Sequence, residues 1–382
     1  MSISTDLGNG VCRRFEEEKV VCPTNLRKRL FTIAAIDNID HNPSSTTTND
    51  SFHGTGITLF QHVSANCRGI DREIIVLHQS SSASSSTTTT KRVSQLPDSF
   101  ANVPPASLRH NDPPVPEVHC EMKGEGAIYT CAVKEELLWL ENVRTTIDTQ
   151  QNLQEGECLS WAAYHSRRQK EQDDTQQAIS SLLPLFPDDS KSVAMIRHAV
   201  EMIRRAVTHL NPGQVPVIAL DQPLYAVAKQ IQWNWPESYG EHRVIMMFGG
   251  LHIEMAFLRL LGHWLEDSGW TSALTQSKIA SPGTADSFVK AASVTRSRHA
   301  HQLTASSLYI LLCHAYTQYT VGLAEDAALP FDDWCLENMA STPQFQFWYI
   351  ALQLEMMLLL FVRSLREANF ALYVDALSKM IP

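Results

Sequence analysis

Leu30-Phe31-Thr32-Ile33-Ala34-Ala35-Ile36-Asp37-Asn38-Ile39-Asp40-His41-Asn42-Pro43 is an apolar run that stops at a carboxylate and passes into turn-forming residues. Leu30 to Ile36 has the composition of a buried strand, and the Asn, Asp and Pro that follow fix the geometry of a turn. The segment predicts a strand that presents Asp37 at its carboxyl end. Open α/β sheets gather ligands and reactive groups at such ends.

Two further β-type runs follow. Residues 56–63 carry β-branched side chains after a Gly54-Thr55-Gly56 turn, and residues 70–77 are rich in Ile and Val. With 30–36 they predict an antiparallel meander of three strands. The composition then changes. Ser80 to Thr90 is serine and threonine apart from Ala83, and Pro104, Pro105, Pro113, Pro114 and Pro116 come after it. Such a segment buries too little apolar surface to offset its chain entropy, so a disordered insertion is expected.

Helical patterns take over at 132–147, 159–183 and 191–210. In the last, Val193, Ile196, Val200, Ile203, Val207 and Leu210 make one apolar stripe that stops at Asn211-Pro212-Gly213. Val215-Pro216-Val217-Ile218-Ala219-Leu220 is a second buried-strand run, and Asp221 follows it at once. Gln222-Pro223 opens a helix, with proline in the first turn, where its missing N–H costs little. Residues 243–248 form another strand ending at Gly249-Gly250, and the helix 251–265 carries His252 and Glu254 in its first turn. Strand–helix–strand–helix implies a parallel pair. Beyond Thr271 the pattern is helical, over 285–320 and again over 344–381 with a break near Ala368-Asn369. Phe347 to Val362 is apolar but interrupted by Gln353 and Glu355. It is shorter than the ~20 residues of a membrane span, so it predicts a buried helix and no membrane partner.

The chain of 382 residues is 44% hydrophobic and 19% charged, which is ordinary for a globular protein. Its net charge of -10 argues against a general nucleic-acid platform and leaves room for a local basic groove or a separate DNA-binding domain. None of the eight cysteines has CxxC spacing, and the amino terminus lacks a secretion-type apolar segment. Reduced thiols in a nuclear or cytoplasmic protein are expected. The chain has no phosphate-loop, dinucleotide or nucleophile-elbow motif, so ATPase, nicotinamide oxidoreductase and α/β-hydrolase readings lack their main signature.

Asp37 and Asp221 each follow an apolar strand. Brought together they could hold Mg²⁺ or Mn²⁺, because hard cations take oxygen ligands. Each would equally serve as a cap for the turn or helix after it. Asp40 and His41 could support that site or simply shape the turn. Glu254 with His252 lies at a helix start, where a carboxylate also suits the helix dipole. Arg296 and Arg298 could contact phosphates, as could Arg27-Lys28-Arg29, although a solvated helix face explains such short runs more often.

Residues 35–46, from Ala35-Ile36-Asp37 to Pro43-Ser44-Ser45-Thr46, together with Ser51-Phe52-His53-Gly54-Thr55-Gly56, resemble a group of uncharacterised, transposon-derived animal proteins. So do Leu220-Asp221-Gln222-Pro223-Leu224-Tyr225, Gly249 to Met255, Gly283 to Phe288 and Val362 to Phe370. That group is similar to DDE-type transposases of the ribonuclease-H-like superfamily. The resemblance implies an α/β fold with a ribonuclease-H-like mixed sheet, an antiparallel meander plus parallel strands, and a large helical insertion and carboxyl-terminal helical region. It implies Asp37 as a first acid and Asp221 as a second. A third, on a helix, would come from Glu254, Glu325, Glu355, Glu367 or a residue past Pro382. Gly249-Gly250-Leu251-His252 is similar to an element found after the second acid in several such families, with glycine in place of its first ligand. The implied chemistry is metal-dependent cleavage and strand transfer on DNA.

These readings divide the chain into first strands at 1–78, a disordered insertion at 79–118, the rest of the α/β core at 119–270 and a helical region at 271–382 that ends short. Catalytic residues are expected at Asp37, Asp221 and Glu254, with metal on the two aspartates, support from Asp40 and His252, and DNA on Arg296 and Arg298. DNA is the expected partner, and a homo-oligomer is compatible with the reading. The rivals are a non-catalytic DNA- or protein-interaction module that keeps the fold, and an unrelated helical scaffold.

Overall fold

The computed structural model describes residues 3–41, 52–64, 66–73, 75, 95–108, 126–149, 160–170, 177–324 and 327–380. In chain order the elements are α1 (Ile3–Glu18), β1 (Thr32–His41), β2 (Phe52–Gln61), α2 (Asp98–Ala101), α3 (Ala127–Thr149), α4 (Trp161–Lys170) and β3 (Ile179–Leu182). Then come α5 (Val193–Leu210), β4 (Val217–Leu220), α6 (Gln222–Asn234), α7 (Pro236–Tyr239) and β5 (Ile245–Phe248). The rest is helical: α8 (Gly250–Leu265), α9 (Trp270–Gln276), α10 (Pro282–Val289), α11 (Val294–Thr320), α12 (Phe331–Ser341), α13 (Pro343–Arg366) and α14 (Phe370–Met380). The chain divides into two compact units, Met1–Val118 with Asp174–Gly249, and His119–Asp173 with Gly250–Pro382.

The first unit is a five-stranded mixed sheet in the order β3-β2-β1-β4-β5. β1 and β2 pair antiparallel, as do β2 and β3, whereas β1–β4 and β4–β5 are parallel. Strand periodicity explains its core. Ala34 and Ile36 of β1 point to the same face as Ile57 and Leu59 of β2 and Ile218 and Leu220 of β4, and all six are buried. Onto that face α5 lays Ile196, Val200, Ile203 and Val207, and α6 adds Leu224, Ala228 and Ile231. Each fully buried Val, Leu or Ile contributes roughly 1.5–3 kcal/mol, so the stripe read from the sequence of α5 is a main source of this unit's stability. Ser192 caps α5 by accepting the Met195 N–H at 3.0 Å.

Two glutamines fix the register at the amino end of the sheet. Gln214 Oε1 accepts the Thr32 N–H at 3.0 Å while its Nε2 donates to Thr32 O at 2.6 Å. The buried Gln61 accepts the Arg27 N–H and donates to Arg27 O, both at 2.8 Å, and donates to Thr32 Oγ1 at 3.0 Å. A one-residue slip would break all of these and invert the buried face.

Several expectations change. The third strand is β3, not 70–77: Ile70 makes only an isolated bridge to Lys28, and residues 71–73 and 75 form no strand. The expected helix over 159–183 is α4 followed by β3. β1 does not end at Ile36 but runs to His41, so Asp37 lies inside it, and Gly54-Thr55-Gly56 is part of β2 rather than a turn. Glycine suits position 56 because a Cβ there would sit 2.6 Å from Ile39 Cδ1 on the neighbouring strand, so a larger residue would have to push that side chain aside.

Part of the expected disordered insertion is packed. Phe100 of α2 is buried and stacks on Phe186 at 4.6 Å, and His198 Nε2 donates to its carbonyl at 2.7 Å. The Ser/Thr run 80–90 lies outside the described residues. The segment 119–173 belongs to the helical unit, not to the rest of the sheet.

The second unit is built on α13. Leu358, Leu359, Leu360, Phe361 and Val362 are fully buried, and α3, α8, α11 and α14 pack around them. α13 is, among the described residues, the one helix long and apolar enough to cross a membrane. Its interior position and its two paired ionic side chains, Glu355 and Arg363, suit a core helix, and no membrane partner is indicated. α13 stops at Arg366 and α14 starts at Phe370, with Ala368 at φ 50° in the break.

Candidate functional site

Parallel pairing of β1 with β4 ends at Ile36 opposite Leu220. The next residue on each strand is an aspartate, Asp37 and Asp221. Adjacent strands lie about 4.7–4.9 Å apart, so the two acids are backbone neighbours at the carboxyl ends of the parallel strands.

Asp37 is exposed, on the sheet face opposite the buried Ala34 and Ile36, and its Oδ1 accepts the Asn38 N–H at 2.8 Å. Asp221, in extended conformation at φ −68° and ψ 174°, is the N-cap of α6, and its Oδ1 accepts the Leu224 N–H at 2.9 Å. The capping role considered for Asp221 is therefore real, and it engages one carboxylate oxygen. The buried Ser190, just before the cap of α5, donates its hydroxyl to Asn38 Oδ1 at 3.2 Å and ties the loop 188–192 to this edge. Sequence reasoning missed that loop. Its signal was Asp188-Asp189-Ser190-Lys191-Ser192 ahead of a strongly periodic helix.

The other expected site residues are distributed as follows. Asp40 lies in β1 opposite His53 of β2. His252 and Glu254 are on α8, in the second unit, and Glu254 is buried. Arg298 Nε and Nη2 grip both Glu254 oxygens at 2.7 and 2.6 Å, a fork on a carboxylate. Arg298 is thus engaged by the expected third acid, whereas Arg296 is exposed on α11.

Glu355 is fully buried and accepts from His301 Nδ1 at 2.8 Å, and Glu367 accepts from Arg363 at 2.8 Å. Glu325 lies outside the described residues. Every described candidate for a third acid is held by a cationic or imidazole partner. Among the described residues no group of three or more His, Cys, Asp or Glu side chains is placed to hold a metal ion.

The second unit also holds a buried ionic cluster that the sequence did not reveal. Glu136 is wholly buried and accepts from Trp161 Nε1 at 2.8 Å, His165 Nε2 at 3.0 Å and Arg363 at 3.4 Å. Arg363 also binds Glu135, which takes Arg168 at 2.9 Å. The signal was a Glu-Glu pair immediately ahead of Leu137-Leu138-Trp139-Leu140. One acid had to enter the apolar face and find donors there.

Residues 160–329 match a family described as a domain of unknown function (DUF8702), less than half of the chain. The comparisons with curated proteins and with solved structures each found no match.

Proposed function

We propose that the chain is a transposon-derived protein with a ribonuclease-H-like core, in which Asp37 and Asp221 hold a divalent cation for phosphodiester cleavage on DNA. One observation carries this reading. A three-strand antiparallel set whose first strand bears an acid is joined by a parallel strand that delivers a second acid to the adjoining register position. That is the arrangement the family resemblance implies. It arises here although β2 and β3 are separated by α2, α3 and α4.

The donors suit a hard cation. Each aspartate uses one oxygen in a backbone hydrogen bond, which orients the other, and Mg²⁺ is commonly bound through one or two carboxylates plus water and substrate phosphates. Bound there, Mg²⁺ or Mn²⁺ would act as a Lewis acid on a phosphate oxygen. Asp37 and Asp221 would position it, and the half-buried Asn38 beside them would be held in place by Ser190. Arg296, exposed on its helix, is available for a phosphate contact.

The test is calorimetric titration of the protein with Mn²⁺, together with nicking of supercoiled DNA, in the wild type and in Asp37→Ala and Asp221→Asn. Saturable Mn²⁺ binding and nicking that both variants abolish are expected. Nicking that persists in both variants overturns the catalytic assignment.

A second reading has its own support: a non-catalytic DNA- or protein-interaction module that keeps the fold. Its observation is the engagement of Glu254, Glu355 and Glu367 by Arg298, His301 and Arg363, which among the described candidates leaves two acids where the ancestral chemistry employs three. This reading expects no Mn²⁺ heat at all, so the same titration separates the two.

A further inference from the structure

The second unit has a pocket of about 700 Å³, half open to solvent, between α9, α11 and α13. Its deepest lining, Trp270, Leu274 and Thr304, is buried. Phe345, Trp348 and Tyr349, from the first two turns of α13, form a half-buried aromatic wall. Small, exposed side chains, Ala273, Ser307 and Ala315, line part of its rim. A cavity of this size matches small-molecule sites, which run from roughly 300 to 1,000 Å³ and are mostly apolar with a few polar groups.

The lining decides what fits. None of the residues that line the cavity is charged. Trp270 Nε1 donates to Thr304 Oγ1 at 2.8 Å, and that hydroxyl donates to Ala300 O at 2.9 Å. The polar groups of the floor satisfy one another, so the floor offers carbon and ring faces. A phosphate, nucleotide or fatty-acid carboxylate entering here would lose its hydration and gain no counter-charge. An apolar molecule would instead gain by moving its surface out of water and against the carbon and ring faces of the pocket. Aromatic walls add stacking and edge contacts for a ring system.

The geometry points to a binding site for a neutral, ring-containing apolar small molecule, held against Trp270, Phe345, Trp348 and Tyr349 and selected by the absence of charge. The site uses neither Asp37 nor Asp221, so it stands or falls apart from the phosphodiester reading.

The experiment titrates the full chain with Nile red, a neutral polycyclic dye, and with the anionic 1-anilinonaphthalene-8-sulfonate, following dye and tryptophan emission. One saturable Nile red site per chain with blue-shifted emission is expected, with the anionic dye binding at least tenfold more weakly. Ser307→Phe fills the mouth from an exposed position and should weaken Nile red at least tenfold without moving the urea midpoint, and Ala273→Leu serves if that variant is unstable. Equal affinity for both dyes, binding indifferent to the filling variants, or no dye binding would overturn the proposal. A concentration-dependent dimer in sedimentation that Ser307→Phe abolishes would also overturn it, by showing that a second copy occupies the cavity.

Discussion

Asp221 carries two roles that substitution can separate. Asparagine caps a helix as well as aspartate does, whereas alanine at such a position costs about 1 kcal/mol. Urea unfolding should therefore show Asp221→Ala destabilised by that amount and Asp221→Asn close to wild type, while both lose Mn²⁺ binding. Equal stability of Ala and Asn variants would deny the cap seen at Leu224. Glu355 is the second informative residue. Burial pushes its carboxyl above the ordinary range, against the pull of His301. A folded state that holds a proton more tightly than the unfolded chain has its advantage below the ordinary Glu pKa and loses it as pH rises through the raised value. Glu355→Gln keeps the shape and removes the titration. Its stability relative to wild type should grow as pH rises from the ordinary Glu range through the raised value, and a difference that stays flat in paired urea curves would refute the assignment. Asp37 and Asp221 were legible in the sequence because each stands directly after an apolar run. The partners of Glu254 and Glu355 were not, since Arg298 and His301 lie 44 and 54 residues away and only tertiary packing joins them.

At the level of elements, α8 and α10 approach closely at a glycine. A Cβ on Gly262 of α8 would lie 2.0 Å from the Val289 carbonyl at the end of α10, and backbone cannot swing away as a side chain can. Gly262→Ala should cost about 1–3 kcal/mol or more in urea unfolding. Gly283, in the first turn of α10 with nothing within 4 Å of its Cβ position, is the control: Gly283→Ala should be neutral or stabilising by up to about 1 kcal/mol. Both outcomes are needed, because a matching loss at Gly283 would mean that the helix and not the crossing is sensitive. The elements that could be read ahead of the structure were those with sustained periodicity or abrupt ends: α5 with its stripe, β4 closed by Asp221, β5 closed by two glycines, and the break at Ala368. Those that escaped are short or mixed. β3 has four residues, Ile179-Ser180-Ser181-Leu182, too few to show alternation beside a helical pattern. β1 was cut short because Asp37 to His41 reads as a turn, although pairing with β2 carries it on to His41 opposite Phe52.

For the whole molecule, the division into units predicts which pieces stand alone. The core around α13 includes Trp139, Leu140 and Val143 of α3 and Trp161 of α4, which precede β3 in the chain. A fragment of residues 250–382 lacks them and should show no cooperative urea transition, whereas co-expression with residues 126–170 should restore one. A sharp transition for the fragment alone would mean that α3 and α4 are dispensable. The separation of β2 from β3 was invisible in the sequence because β-type runs at 56–63 and 70–77 offered a nearer pairing, which the chain does not use. That interruption also bears on how the protein is made. Translation at about 5–20 residues per second means α3 emerges on the order of ten to forty seconds before the segment of α13 that covers it. During that interval Trp139 and Leu140 have no completed core to enter. The nascent chain thus leaves the apolar face of α3 uncovered throughout that interval, and the yield of folded protein in a cell should depend on chaperones that shield it.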